Sequence, residues 1–241
     1  TPALSSAASD VYKRQDKFTA MEGGTPLIAA SRSGHLDVVK FLCDAGADKD
    51  KEEDSKTPLI AASWRGHLEV VRFLCEAGAD KDNAVEEWTP LIAASRRGYL
   101  ELVRCLCESG ADMDKGTDMV HPLFTASRSG HLDVVRFLCE AGSDKDRGTE
   151  EEMTPLEVAS LHGHLDVVRC LCDAGADKDN EENSQNPLSA ASMNGHLEVV
   201  RFLCEAGADK DRGTENGTTP MCVASINGHL DVVRFLCEAG A

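Results

Sequence analysis

Between Thr57 and Asp82 the chain reads TPLIAASWRGHLEVVRFLCEAGADKD, two largely apolar runs parted by one glycine and closed by another. The first run opens with Thr57-Pro58: a hydroxyl able to cap a helix, then a proline at the first helical position, where a missing N–H costs nothing. It predicts a short Ala-rich helix that stops at Gly66, a residue free to take the left-handed conformation of a helix C-terminus. The second run predicts a helix over Leu68–Ala77, stopped by Gly78. Leu68, Val70, Val71, Phe73, Leu74 and Cys75 are apolar, while Glu69, Arg72 and Glu76 fall at i, i+3 and i+7. That is one narrow polar stripe on an apolar cylinder. A helix wetted on one side only needs neighbours on the others, so the unit cannot fold alone.

The neighbours are copies of the same unit. The opening dipeptide stands at Thr25-Pro26, Thr57-Pro58, Thr89-Pro90, His121-Pro122, Thr154-Pro155, Asn186-Pro187 and Thr219-Pro220, at intervals of 32, 32, 32, 33, 32 and 33 residues. Both glycines recur in all seven copies, from Gly34 and Gly46 to Gly228 and Gly240. A period near 33 residues with two short helices per copy marks a solenoid in which each copy contacts only its neighbours.

Thr25–Asp48 (TPLIAASRSGHLDVVKFLCDAGAD) and its counterparts resemble the ankyrin repeat, and the resemblance covers Asp16–Ala241. It implies an all-α fold, an ankyrin-repeat solenoid of stacked antiparallel helix pairs joined by hairpin-like loops. Two departures stand out. The histidine of the family's TPLH motif is replaced by Ile28, Ile60, Ile92, Phe124, Glu157, Ser189 and Cys222, which removes that side chain's hydrogen bonds at the helix starts. Four of the six complete loops between copies are one residue shorter than the family's usual length, and most lack its glycine before Thr-Pro.

A chain of 241 residues would ordinarily be read as one or two globular domains, but the repeat makes it one array from residue 16 to residue 241. Residues 1–15 fit no repeat register. Ser5–Gln15 (SSAASDVYKRQ) reads as translated sequencing-adapter sequence, so this segment is expected to be disordered and outside the fold. Neither end carries a distinct polar capping copy, so the sequence is expected to be a piece of a longer array. Aromatic residues make up only 5% of the chain, leaving Leu, Val, Ala and Cys to fill a core in which helices approach closely. There is no apolar run of about 18 residues to span a membrane and no signal-like segment near the start. A net charge of −17 repels phosphate, which argues against nucleic acid and against anionic lipid as partners.

Ten cysteines raise the question of disulfides or metal. Seven occupy one repeat position: Cys43, Cys75, Cys107, Cys139, Cys172, Cys204 and Cys237. Successive helices in a stack lie about 10 Å apart, too far for a disulfide, whose Cα atoms lie within about 7 Å. That ladder cannot cross-link itself. Cys105/Cys107 and Cys170/Cys172 stand two apart on a helix and point to different faces. With no CxxC pair there is no zinc signature, and thiols in this number point to an intracellular, cytoplasmic setting. Six histidines follow the first glycine (His35, His67, His131, His164, His196, His229) and Tyr99 takes the seventh place, which implies packing or hydrogen bonding rather than catalysis. The carboxylates are periodic as well. Asp37/Lys40/Asp44 and Glu69/Arg72/Glu76 predict i, i+3 and i, i+4 pairs on a solvated face. No catalytic constellation, phosphate loop, metal site or cofactor site emerges, so the chain is expected not to be an enzyme.

Invariant positions hold a stack together, so partner choice falls to positions where the copies differ. The pair before the first glycine varies: Arg32-Ser33, Trp64-Arg65, Arg96-Arg97, Arg128-Ser129, Leu161-His162, Met193-Asn194 and Ile226-Asn227. So does the residue before each capping position: Gly24, Lys56, Trp88, Val120, Met153, Gln185 and Thr218. The resemblance implies that these positions line a concave groove beside the loop fingers. The candidate partner-binding residues are Trp64, Arg65, Trp88, Arg96, Arg97, Arg128, Leu161 and Met193. Trp and Arg are the residues enriched at binding hot spots. The fingers are acidic at Glu52–Asp54, Glu86-Glu87, Glu150–Glu152 and Glu181-Glu182. The expected function is a monomeric, non-catalytic scaffold that binds a protein segment carrying acidic and apolar groups. The alternatives are an accessory module of a larger enzyme or signalling protein, and a thiol- or metal-responsive protein.

Overall fold

The computed structural model describes residues 24–116, 120–149, 153–179, 186–213 and 217–241. Two compact units divide the chain after Thr117. The first contains α1 (Pro26–Ser33), α2 (Leu36–Asp44), α3 (Pro58–Arg65), α4 (Leu68–Glu76), α5 (Pro90–Arg97) and α6 (Leu100–Glu108). The second contains α7 (Pro122–Ser129), α8 (Leu132–Ala141), α9 (Pro155–Leu161), α10 (Leu165–Asp173), α11 (Pro187–Met193), α12 (Leu197–Glu205), α13 (Pro220–Ile226) and α14 (Leu230–Glu238). Within each unit the first helix of a copy packs on the first helix of the next, and second helix on second helix, as the seven-copy reading requires. The described residues hold no strand, only single bridges between Glu53 and Lys56 and between Val85 and Trp88.

Each first helix begins as the sequence indicates. Thr57 Oγ1 accepts the Ile60 N–H at 3.2 Å, and Thr89 Oγ1 that of Ile92 at 3.1 Å. Proline follows at the next position in every copy. Two copies replace the capping threonine, and the replacement does more than cap. His121 Nδ1 accepts from Phe124 N–H at 3.4 Å while its Nε2 donates to the Arg147 carbonyl at 3.0 Å. Asn186 Oδ1 accepts from Ser189 N–H at 2.7 Å while its Nδ2 donates to the Arg212 carbonyl at 3.3 Å. These are the two copies whose interval is 33 residues rather than 32, so the longer loop is the one tied back by a longer capping side chain. In a third copy Glu157, at the position of the family's histidine, accepts the Thr154 N–H at 2.7 Å and completes a capping box. The lost motif histidine is thus compensated locally at one of its seven positions.

The joint between copies is a ring on a glycine. His196 Nε2 donates to the Leu161 carbonyl at 3.0 Å, and a Cβ added to Gly163 would lie 2.5 Å from its Nδ1. The same pair of contacts joins His67 to Arg32 and Gly34, His164 to Arg128 and Gly130, and His229 to Met193 and Gly195. Tyr99 lays its ring against Gly66 in the same manner. A carbonyl only accepts, so Nε2 carries the hydrogen. These histidines are therefore structural, as their repetition implies.

A second seam runs along the loops, where an Asp-x-Asp motif recurs. The first aspartate caps its own turn: Asp48 Oδ1 accepts from Asp50 N–H at 3.0 Å, and Asp80 Oδ1 from Asp82 N–H at 2.9 Å. The second reaches the next copy. Asp50 accepts the Asp80 N–H (2.8 Å) and Asp82 that of Asp112 (2.9 Å); in the second unit Asp146 accepts from Asp177 (2.8 Å) and Asp179 from Asp209 (3.0 Å). The sequence reading gave these carboxylates no role, although their regular spacing was the available sign of a structural one.

On the second helices, Lys40 lies over the Phe73 ring at 5.9 Å, Arg169 over Phe202 at 4.8 Å and Arg201 over Phe235 at 4.9 Å. Ion pairs form at i, i+3 (Arg72–Glu69, Arg104–Glu101, Arg201–Glu198), each solvated and worth a few tenths of a kcal/mol. The expected i, i+4 pairs do not appear among the ion pairs of the described residues, where several of the cations turn to the ring of the next copy instead.

Replacing Gly163 with alanine is expected to cost more than replacing Gly175, although both have positive φ (+73° and +88°). Space around Gly175 is open, so only the backbone penalty of about 1–2 kcal/mol applies there. At Gly163 the His196 ring must also move, adding at least about 1 kcal/mol; equal costs in urea unfolding would refute this role for the ring. A second expectation concerns His164, whose pKa is held below its ordinary value by burial, with His162, His196 and His131 adding to the effect against the opposing Arg128 carbonyl. The unfolded chain takes up this proton first, so stability is fully present above pH 6.5 and is lost as the pH falls through the lower folded value. Urea unfolding of His164→Tyr should decline less between about pH 7 and pH 5 than the parent; identical slopes would exclude His164 as the source.

Candidate functional site

The variable positions of the first unit converge. Trp64 lies one residue before the end of α3, and Trp88 stands at the base of the next finger, where its N–H and carbonyl exchange 3.0 Å bonds with Val85. The two indoles meet edge to face, with centroids 4.9 Å apart and planes at 85°. Arg96 and Arg97 end α5. The Arg96 guanidinium lies 5.7 Å from the Trp64 ring and 5.0 Å from the Trp88 ring, and that of Arg97 lies 5.9 Å from Trp64. Both arginines are exposed, as is Arg65 at the last position of α3. Both tryptophans are half-buried, because each covers the other and Arg96 covers both.

Local chemistry sets this arrangement. The first two fingers turn through positive φ at Asp54 (51°), Ser55 (57°) and Glu86 (55°), so loops without the family's glycine still close tightly. Ser55 Oγ donates to Glu86 Oε1, linking one finger to the next. Glu52, Asp54, Glu86 and Glu87 are exposed. The acidic stretches at residues 150–152 and 181–182 lie outside the described residues, as does Gln185. In the second unit Arg128 is exposed near the end of α7, and its carbonyl accepts from His164. Leu161 and Met193 end α9 and α11 half-buried, and Ile226 is 78% exposed at the end of α13.

Most of the thiols are held towards their protonated form. Burial pushes the pKa of Cys107, Cys139 and Cys172 up to about 11 and raises those of Cys43, Cys75, Cys170 and Cys204. At neutral pH these groups are mainly thiols, with only a minor thiolate fraction. Cys222 and Cys237 are exposed, more open than a core filler would be. Among the described residues no group of three or more His, Cys, Asp or Glu side chains is placed to hold a metal ion, and no helix is long and apolar enough to cross a membrane.

Comparison with known proteins agrees with this architecture. The family model for ankyrin repeats (three copies) matches at residues 4–85, 52–117, 78–149, 115–182 and 176–241. The crystal structure of the human ASB11 ankyrin repeat domain is similar at a TM-score of 0.82 and 26% identity, covering 90% of this chain and 98% of that one. No curated protein matches the sequence.

A double-mutant cycle on Trp64→Ala and Trp88→Ala should report coupling of about 0.5–1.5 kcal/mol in unfolding free energy, the range for an aromatic pair. Strict additivity would mean that the edge-to-face contact does not stabilise the fold.

Proposed function

The chain belongs to the ankyrin-repeat family, and on that footing we propose that it is a non-catalytic scaffold that captures a protein segment at the Trp64–Trp88–Arg96–Arg97 cluster. Ankyrin repeats generally mediate protein–protein interaction, and the cluster supplies what such recognition needs. Two aromatic faces offer apolar area at low entropic cost, and guanidiniums stacked on them present N–H groups that pair with carboxylates. Arg32 and Arg65 add positive charge in a chain whose net charge is −17, so the cluster is a local exception to the overall field. The exposed Glu52, Asp54, Glu86 and Glu87 form a negative fence beside it. The partner segment is therefore read as acidic and apolar at its centre, with a basic residue at its flank. Arg128, Leu161 and Met193, in the second unit, are read as further partner-binding positions. The observation that carries this reading is the contact of two tryptophans and two arginines drawn from varying positions of adjacent copies. Unpaired cysteines throughout support an intracellular location.

A displayed library of random peptides panned on the whole chain tests the proposal. Enriched peptides should combine Asp or Glu with Trp, Phe or Leu. The change Trp64→Ala with Arg97→Ala should weaken their binding by about 2 kcal/mol or more while leaving helicity nearly intact. Peptides without acidic residues, or binding indifferent to the double change, would remove this cluster as the recognition site.

A further inference from the structure

We propose that Cys139 and Cys170 are an oxidisable pair, which hydrogen peroxide joins in a disulfide that staples α8 to α10. The position that holds phenylalanine in five copies (Phe41, Phe73, Phe137, Phe202, Phe235) holds cysteine in two, Cys105 and Cys170. Where the ring is missing, second helices close up: α8 and α10, like α4 and α6, pack more intimately than the pairs that keep phenylalanine, with Cα atoms of the two helices within 8 Å of each other. A disulfide needs a Cα separation of about 4.4–6.8 Å, below that 8 Å bound, so bridging asks α8 and α10 to close further on each other. The ladder of cysteines at one repeat position cannot bridge, but this pair is diagonal, formed by the ladder cysteine of one copy and the phenylalanine-position cysteine of the next.

The missing ring also leaves room. A cavity of about 560 Å³ lies between α8 and α10, lined by both thiols and by Leu132, Arg136 and Arg169. Peroxide therefore has a path to both sulfurs. The Arg136 guanidinium lines the same cavity and favours the Cys170 thiolate, opposing the burial that raises its pKa. At Cys139 burial and the neighbouring Cys170 outweigh the opposing Lys145, and the pKa is pushed up to about 11. Cys170 is thus the first sulfur to react.

The Cys170 thiolate, its proton released to water, attacks one peroxide oxygen; the O–O bond breaks and the departing hydroxide takes up that proton as water. The product is a sulfenic acid at Cys170. The Cys139 thiolate then attacks the Cys170 sulfur, the S–O bond breaks, and the leaving hydroxide becomes the second water with the Cys139 proton. Two thiols and one peroxide give one disulfide and two waters. Cys75 and Cys105 form the same diagonal on α4 and α6, but both are buried, and peroxide reaches them more slowly.

The test is peroxide treatment of the whole chain, blocking of remaining thiols and tryptic mapping without reduction. Cys139 is the sole cysteine of peptide 137–145, whereas peptide 170–178 carries both Cys170 and Cys172. The expected product is a linked species two hydrogens lighter than the two peptides together. It should persist in Cys172→Ser, disappear in Cys139→Ser and in Cys170→Ser, and revert on reduction. Recovery of the two peptides unlinked, while exposed Cys222 and Cys237 are oxidised, would overturn the proposal. So would a link that survives in Cys170→Ser.

Discussion

A flat ring resting on a residue with no side chain sets the spacing of copies within each unit. The imidazole, or the Tyr99 phenol ring, reaches the backbone of the preceding copy only because the facing residue is glycine, and that glycine is free to end a helix in the left-handed region. One residue type thus meets two demands at one point: it terminates the first helix and admits the neighbour's ring. The Nε2–H bond to the carbonyl two residues earlier fixes the direction of approach. The Asp-x-Asp seam repeats the logic at the loops, each carboxylate accepting an N–H from the next copy. Between these seams, apolar residues such as Val71 and Leu74 fill the space at full burial.

With the spacing set by backbone-level contacts, other positions are released from structural duty. The residues just before the first glycine and just before the capping residue are of this kind. Trp64, Trp88, Arg96 and Arg97 occupy them in adjacent copies, and the regular interval places the two indoles in contact. Recognition chemistry is built on the repeat without disturbing it, since the cluster uses ends of helices and the base of a finger rather than the core.

The phenylalanine position shows how one substitution alters the stack locally. A ring there separates neighbouring second helices and receives the cation of the previous copy; a cysteine there draws the helices together and gives the cation a sulfur to face. Volume is the controlling variable, because side chains in a close-packed interior cannot be shortened without a shift of the backbone or a gap. At α8 and α10 both consequences occur together, a closer approach and a cavity.

The sequence by itself determined the seven copies, the paired helices, their capping residues and their terminating glycines, because each is a local preference repeated at a fixed interval. It also identified His67 and its counterparts as structural, since a role shared by so many copies and tolerant of tyrosine is one of packing. Tertiary structure alone decided which residues meet. The distance between Trp64 and Trp88 depends on how copies stack, so their mutual half-burial was not legible, nor was the closer approach of Cys139's helix to that of Cys170. The aspartate seam was missed for the same reason: a carboxylate bond to a backbone N–H some thirty residues away leaves only a spacing in the sequence, and spacing becomes contact only when the period of the helices and the pitch of the stack coincide.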